Sequence, residues 1–319
     1  MINTGIPGPE TIIQIANTTN IGVFVHCFYV DGRAVNGAPN WQITDFDLTL
    51  TRQQPTHWAV SLGRAVDPFD PPGSSEAGLD PGLIPPVSPD FTGFLTCVQV
   101  DSGGTPVGGN ALKGEATIGA IEGVGGVNNV SKYNAIAIPA VGDGPNPDNV
   151  LCLGSGSSAQ CTTAEYAACP RDLLLNFQAE GGPDPALAGA GNTASIVSSN
   201  LTLVPCGMDF ENLIPDSTTL AVNIRDEFEN NSSVSSGVPV DCWFSAFLGD
   251  PLFDNQLTIG GLNTEFGTAV LSPQAPSQLP GLGVVNVLRT ADDGTSDTAA
   301  SNLFWGTATV PSEIRLPTQ

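Results

Sequence analysis

The residues able to do acid–base or nucleophilic chemistry are few, and their spacing serves that chemistry poorly. The 319-residue chain has two histidines, His26 and His57. A serine or cysteine nucleophile needs a neighbouring base, so these two bound the options. His26 precedes Cys27 in a strand-like run, and successive strand residues point to opposite faces, which rules out a dyad. GSGSS at 154–158 approaches the G-x-S-x-G pattern, yet lacks the strand-to-helix elbow that exposes such a serine.

Carboxylates are plentiful. Asp45 with Asp47, and Asp226 with Glu227 and Glu229, supply pairs of the kind a glycoside hydrolase uses. Sugar sites also rest on aromatic platforms, and aromatic residues make up only 7% of this chain. No enzyme is therefore expected, and a carboxylate-dependent glycoside hydrolase is the enzymatic alternative. ADDGTSD at 291–297 places Asp292, Asp293 and Asp297 around a glycine turn that calcium could use, although it is not a twelve-residue EF-hand loop. No phosphate-binding glycine motif opens a helix, so no cofactor other than calcium is expected.

Seven cysteines stand at 27, 97, 152, 161, 169, 206 and 242, with no Cys-x-x-Cys pair and no histidine nearby to complete a zinc site. Disulfides in an oxidising compartment account for them better. Their positions in strand-like runs suggest Cys27–Cys97 and Cys206–Cys242, with Cys152–Cys161 in a loop and Cys169 free. Nine Lys and Arg against 32 Asp and Glu give a formal net charge of −23. Nucleic acid and anionic membranes require clustered cations, so neither is an expected partner. No apolar run is long enough to insert in a membrane. MINTGIPGPE has no basic n-region and no apolar h-region, so a leader peptide is expected to be absent from this chain. Acceptor triplets at Asn17, Asn129, Asn200, Asn230 and Asn231 fit an extracellular glycoprotein, and glycans are conceivable partners.

The elements that must position these residues are almost all strands. The densest signal is Glu10–Asp31. Thr11–Ala16 and Ile21–Val30 flank a turn-forming Asn17-Thr18-Thr19-Asn20, which predicts a hairpin. Ile21–Val30 is apolar on both faces, so it must be covered on both sides. WQITDFDLTLTR (41–52) is expected to pair with THWAVSLG (56–63). Residues 65–90 hold repeated prolines that deny ladder donors, which predicts a surface loop. Thr162 and Glu165 have capping-box spacing, predicting one short helix over 162–169. Fourteen or fifteen short strands with Gly and Pro punctuation predict an all-β chain of antiparallel β-sandwich architecture with at most one or two short helices. The expected organisation is an arm at 1–9, a first sandwich at 10–145 and a second at 146–319. One interleaved domain is the alternative.

Several phrases carry a resemblance: IANTTN with HCFYVDG, LTLTRQQPTHW, LTCVQVD, LKGEATI, VSKYNAI, LCLG with CPRDLLLNF, and the closing LFWGTATVPSEIRLP. In these the chain resembles a group of uncharacterised secreted bacterial β-rich proteins. The resemblance implies secretion and supplies no activity and no catalytic residue. More loosely, a disulfide-bonded β protein with an uncharged arm is similar to subunits of extracellular bacterial fibres. The expectation is a secreted structural protein, extracellular or on the cell surface, whose partners are copies of itself. Assembly is expected by head-to-tail or strand-addition contacts through the strand of Thr11, Ile12, Ile13 and Ile15. The alternative is a monomeric adhesin or ligand-binding β-sandwich.

Overall fold

The computed structural model describes residues 2–3, 10–64, 81–119, 130–142, 145–182, 196–275, 278–290 and 296–317. The arm gives β1 (Ile2–Asn3), and the two segments after it give β2 (Glu10–Asn17) and β3 (Val23–Asp31). A ribbon of β4 (Ala34–Val35) and β5 (Ala38–Pro39) leads to β6 (Gln42–Leu50) and β7 (Pro55–Ala59). Then come β8 (Thr92–Val100), β9 (Leu112–Gly119) and β10 (Val130–Asn134). The middle of the chain forms β11 (Val150–Leu153), β12 (Cys169–Pro170), β13 (Leu173–Gln178), β14 (Ile196–Pro205) and β15 (Met208–Asp209). It continues through β16 (Ser217–Asp226), β17 (Asn231–Ser233), β18 (Val238–Asp241) and β19 (Phe244–Phe247). After a four-residue helix, α1 (Ile259–Leu262), the chain ends in β20 (Phe266–Pro273), β21 (Gly281–Thr290), β22 (Ser296–Asn302), β23 (Phe304–Trp305), β24 (Thr309–Val310) and β25 (Ser312–Arg315).

Strand accounts for 56% of the structure and helix for 3%. The larger sheets run β1-β8-β3-β6, β10-β9-β2-β7, β11-β25-β15, β17-β16-β20-β13-β23 (with β18 also on β16) and β19-β14-β21-β22. Together they form a five-bladed β-propeller of small sheets, which corrects the expected pair of β-sandwiches. Both architectures are built from short antiparallel strands with one buried face and turn residues between them. A propeller is usually told apart by a motif repeated in every blade, and this sequence has no such repeat.

β3 is buried on both faces, and its own chain supplies the cover. Val23, Val25, Cys27 and Tyr29 enter a core shared with β2, β6 and β7, while Phe28 and Val30 enter another shared with β8, β11, β15 and β25. Each fully buried aliphatic or aromatic side chain contributes on the order of 1.5–3 kcal/mol, so the strand's sequence alone fixes its central position. Two buried polar groups on it, Tyr29 and Asp31, are partnered. Trp58 donates its indole N–H to the Tyr29 hydroxyl. The buried Asp31 carboxylate accepts from Arg33 Nη2 at 2.6 Å and from Asn40 Nδ2 at 2.9 Å. Two glycines permit close approach. A Cβ on Gly32 would lie 2.2 Å from Trp243 Cβ, and one on Gly93 would lie 1.9 Å from the Val30 carbonyl oxygen.

Local pairings differ from those predicted. β2 and β3 are not a hairpin: β2 pairs with β7 and β9, and β3 with β6 and β8. The 41–52 and 56–63 segments likewise part, into β6 and β7 of different sheets. The Asn17 side chain explains the first case. Its Nδ2 donates to the carbonyls of Ile21 and Thr51 at 2.6 and 2.9 Å, holding the chain in a wider crossing between sheets. No helix forms at 162–169. Glu165 accepts instead from the Cys152 N–H at 2.9 Å and Asn146 Nδ2 at 2.7 Å, and Tyr166 bridges to Ala140 and Leu153. Besides a 3-10 turn at Pro251–Phe253, the described residues form one α-helix, α1. It is capped by Thr258, whose hydroxyl accepts from the Gly261 N–H, and ended by Asn263 at φ 59°.

Disulfides join Cys27 to Cys97, Cys152 to Cys161 and Cys169 to Cys206. The last corrects the expected Cys206–Cys242 bridge, and the free cysteine is Cys242, not Cys169. Cys169 on β12 and Cys206 at the end of β14 enter the same core, and Cys242 is buried there as a thiol. Three disulfides suggest an oxidising, extracellular setting. Burial, and after it Asp31 and Asp241, pushes the Cys242 thiol up to about 12, so it is a thiol and not a thiolate near neutral pH. Peptide mapping without reduction is expected to return the three bridges named, with Cys242 alkylated only after unfolding. A bridge that includes Cys242 would overturn this connectivity.

Asp216 also has a displaced titration. Burial, then the nearby Asp209 and Glu313, raises its carboxyl from 3.8 to about 6. The native state therefore keeps this proton to higher pH than the unfolded chain does, and the group's contribution to stability falls as pH rises from about 4 to about 6. At about 1.4 kcal/mol per pH unit, Asp216→Asn is expected to stabilise the fold by on the order of 1–3 kcal/mol near pH 7.5 and by nothing below pH 4. Thermal melts at the two pH values check this, and an equal effect at both would refute the charge origin.

Candidate functional site

A partly open cavity of about 940 Å³ lies where the sheets of the first half meet those of the second. Its wall is mainly apolar, and Ile15, Ala116, Tyr133, Leu153, Val284 and Trp305 come from six different strands. Burial pushes the Tyr133 hydroxyl well above its ordinary value, and that of Tyr166, with help from Glu165, up to about 12. Neither phenol serves as a base here. The volume falls within the usual range for ligand sites, roughly 300–1,000 Å³.

One side of the cavity is a strand edge. β8 contributes Phe94 through Gln99 to the wall, and its pairing with β3 fixes which way its backbone faces. The Cα atoms of Cys27 and Cys97 are 4.1 Å apart. That close spacing belongs to a non-hydrogen-bonded antiparallel pair, whose N–H and C=O groups point away from the partner strand. By the two-residue period, Gly93, Leu95, Cys97 and Gln99 all turn their backbone groups away from β3. Gly93 is met by Ile2 of β1. The Gln99 carbonyl accepts from the Val107 N–H at 3.1 Å. Between them, Leu95 and Cys97 have no backbone partner among the described residues. Both are half-buried against the cavity. The Gln99 side chain adds a buried amide oxygen with no hydrogen-bond partner there.

The residues singled out by sequence fall elsewhere. His26 is buried on β3, stacked on Phe28 at 4.4 Å, and its Nε2 lies 3.2 Å from Asp45 Oδ2 with Nδ1 3.9 Å from Asp47 Oδ1. The structure thus joins His26 to a carboxylate pair that sequence left separate. The link follows from register, since His26 faces Asp47 across the β3–β6 ladder. The adjacent Cys27 cannot serve them as a nucleophile, because it is oxidised and on the opposite face. His57 is exposed. Asp226 holds a turn, accepting from the Asn230 side chain and from the Asn230 and Phe228 N–H groups, and these bonds hold its carboxyl below the ordinary range. Glu227 accepts from the Glu265 N–H, and Glu229 is exposed. These carboxylates do not form a facing catalytic pair.

Asp292 and Asp293 of the calcium candidate, Asn129, residues 65–80 of the Pro-rich loop and arm residues 1 and 4–9 lie outside the described residues. Asp297 is exposed on β22 opposite Arg289. Among the described residues no group of three His, Cys, Asp or Glu could hold a metal ion, and no helix is long and apolar enough to cross a membrane. Asn17 is corrected as a glycan site, since its amide is buried and bonded inward. Asn200 is half-buried, and Asn230 and Asn231 are exposed.

The expected assembly strand is also corrected. Thr11, Ile13 and Ile15 are buried, and β2 is hydrogen-bonded on both edges, by β7 and β9, so it offers no edge to another chain; only Ile12 is exposed. The edge that sequence reasoning missed is that of β8. The run FTGFLTCVQV reads as a strand, but a vacant edge leaves no mark in the residues that border it. No protein-family model matches the chain, and no curated protein matches it.

Proposed function

We propose that the protein is a secreted structural subunit, found outside the cell or on its surface, that joins another copy of itself by strand addition along β8. The observation that carries this is the pair of unpaired backbone units at Leu95 and Cys97, set in a largely apolar cavity. An unmade hydrogen bond at a buried backbone group costs about 1–3 kcal/mol. An added strand would satisfy both units at once, and its alternate side chains would fill the cavity. An apolar small molecule would fill the volume and leave the N–H and C=O groups unmet. The cavity's size does suit such a molecule, and a monomeric ligand-binding protein is the second reading. The disulfides and the exposed Asn230 and Asn231 are compatible with secretion and glycan attachment.

Leu95→Pro removes an N–H that points to the vacant edge and none that bonds β3. The variant is expected to keep its far-ultraviolet spectrum and melt cooperatively, yet remain monomeric where the parent forms multimers by light scattering and negative-stain microscopy. A folded Leu95→Pro protein that assembles like the parent would overturn the proposal. A parent that stays monomeric and takes up an apolar fluorescent probe would favour the second reading.

Charge sets the conditions. Copies at −23 repel, and the screening length shortens from about 30 Å at 0.01 M salt to about 10 Å at 0.1 M. Assembly is expected to accelerate across that range, and an assembly rate indifferent to salt would contradict the electrostatic part.

A further inference from the structure

We infer that the cavity beside β8 takes an unbranched amphiphile with a hydroxyl head, a long-chain primary alcohol in chemical class, and that the β8 edge is closed to another strand while this molecule is bound. The second half of that statement rests on the strand-addition reading above. Shape is the first observation. The wall includes every residue of β8 from Phe94 to Gln99, a run of about 17 Å at roughly 3.4 Å per residue. A space of about 940 Å³ drawn out along a strand fits an extended chain better than a compact ring. Polarity is the second. Ile15 and Leu95 belong to the core shared by β2, β3, β6 and β7, and Leu153, Met208 and Leu282 to the core on the other side of β8. The slot is therefore apolar on both sides, as an alkyl chain requires.

The third observation is the amide of Gln99, at the end of that run. Its Oε1 is buried and has no hydrogen-bond partner among the described residues. Gly109 stands against it, and a Cβ there would lie 2.9 Å from this oxygen and 3.0 Å from Nε2, so a side chain at 109 would crowd the amide. A buried acceptor left without a donor is costly, and a ligand hydroxyl removes that cost. A hydroxyl both donates and accepts, so it serves the amide in either orientation of its oxygen and nitrogen. A carboxylate head would instead carry a charge into an apolar wall, in a molecule already at −23. With its head at Gln99, the chain lies beside Cys97 and Leu95 and covers their outward backbone groups without bonding them. The side chains of an added strand need the same volume, so the two occupants exclude each other. The strand meets those backbone groups and the alcohol does not, which lets a neighbouring copy displace it.

The test titrates the parent with hexanol, octanol and decanol by isothermal calorimetry. Each further buried CH₂ is expected to tighten binding about fourfold, at one saturable site per chain. The methyl ether of decanol, which cannot donate, is expected to bind about tenfold more weakly. Gln99→Leu is expected to abolish that preference and keep the dependence on chain length. Binding indifferent to chain length would overturn the slot. An ether that binds the parent as well as the alcohol would overturn the anchor at Gln99, and that comparison needs no variant. Saturating decanol is expected to hold the parent monomeric by light scattering in salt that otherwise lets it assemble, and its removal by dialysis to restore assembly. Unchanged assembly with the site filled would overturn the competition. If the parent assembles at no salt concentration, the strand-addition reading and the competition fail together, and the titration still decides the ligand.

Discussion

The Cys27–Cys97 bond ties two adjacent strands at the centre of the first half of the chain, and much of the rest depends on it. In the chain-entropy view, a crosslink over a separation of 70 residues is worth roughly 4 kcal/mol. Its larger effect is on register. Once Cys27 faces Cys97, every residue of β3 has a fixed opposite number on β8, and a slip of one would send Val25 and Tyr29 to the wrong core. The same pairing decides that the backbone of Leu95 and Cys97 turns outward. The core and the vacant edge are therefore consequences of one contact.

Around that contact the molecule keeps its polar interior in order. Asp31, at the end of β3, has Arg33, two residues on, and Asn40 as partners. Glu10, at the start of β2, accepts from Ser61 and from the Thr11 N–H. The donors to Asp31 come from the segment just after it, whereas Ser61, 51 residues from Glu10, reaches it from the turn that follows β7, the strand paired with β2. Leu95 and Cys97 differ because no turn approaches them, and only another strand has the spacing to meet alternate backbone units.

The sequence made the two-faced burial of residues 25–30 legible, because apolar side chains occupied both parities of the run, although Ile21 and Phe24 at its start are exposed. It could not say which strands supply the cover. Sequential strands pair in most folds, which favours a hairpin across Asn17–Asn20, but here Asn17 spends its amide on Ile21 and Thr51 and the chain crosses to another sheet. The capping-box spacing at Thr162 and Glu165 was real as a pattern and lost to a competitor, the Cys152 N–H. Cysteine pairing shows the same limit. Cys206 lies at a strand end from which sequence allows either Cys169 or Cys242, and only the packing of β12 against the end of β14 selects the first. The propeller was hidden for want of a repeat. The candidate site was the least visible of all, since it is defined by an absent neighbour.

A set of small sheets arranged as blades normally leaves only short, protected edges, and that raises the significance of one that opens onto a large apolar cavity. Soluble proteins guard such edges with charge, proline or a covering segment, because a bare edge templates indiscriminate pairing. β8 has no charged residue between Thr92 and Val100, and its cover stops at Gly93 on one side and begins again at Gln99 on the other. What guards it is the strongly negative character of the rest of the molecule, which repels most copies at long range, together with the recess in which the edge lies. Long-range repulsion combined with a recessed acceptor selects for a slender, uncharged strand and against a whole sheet edge.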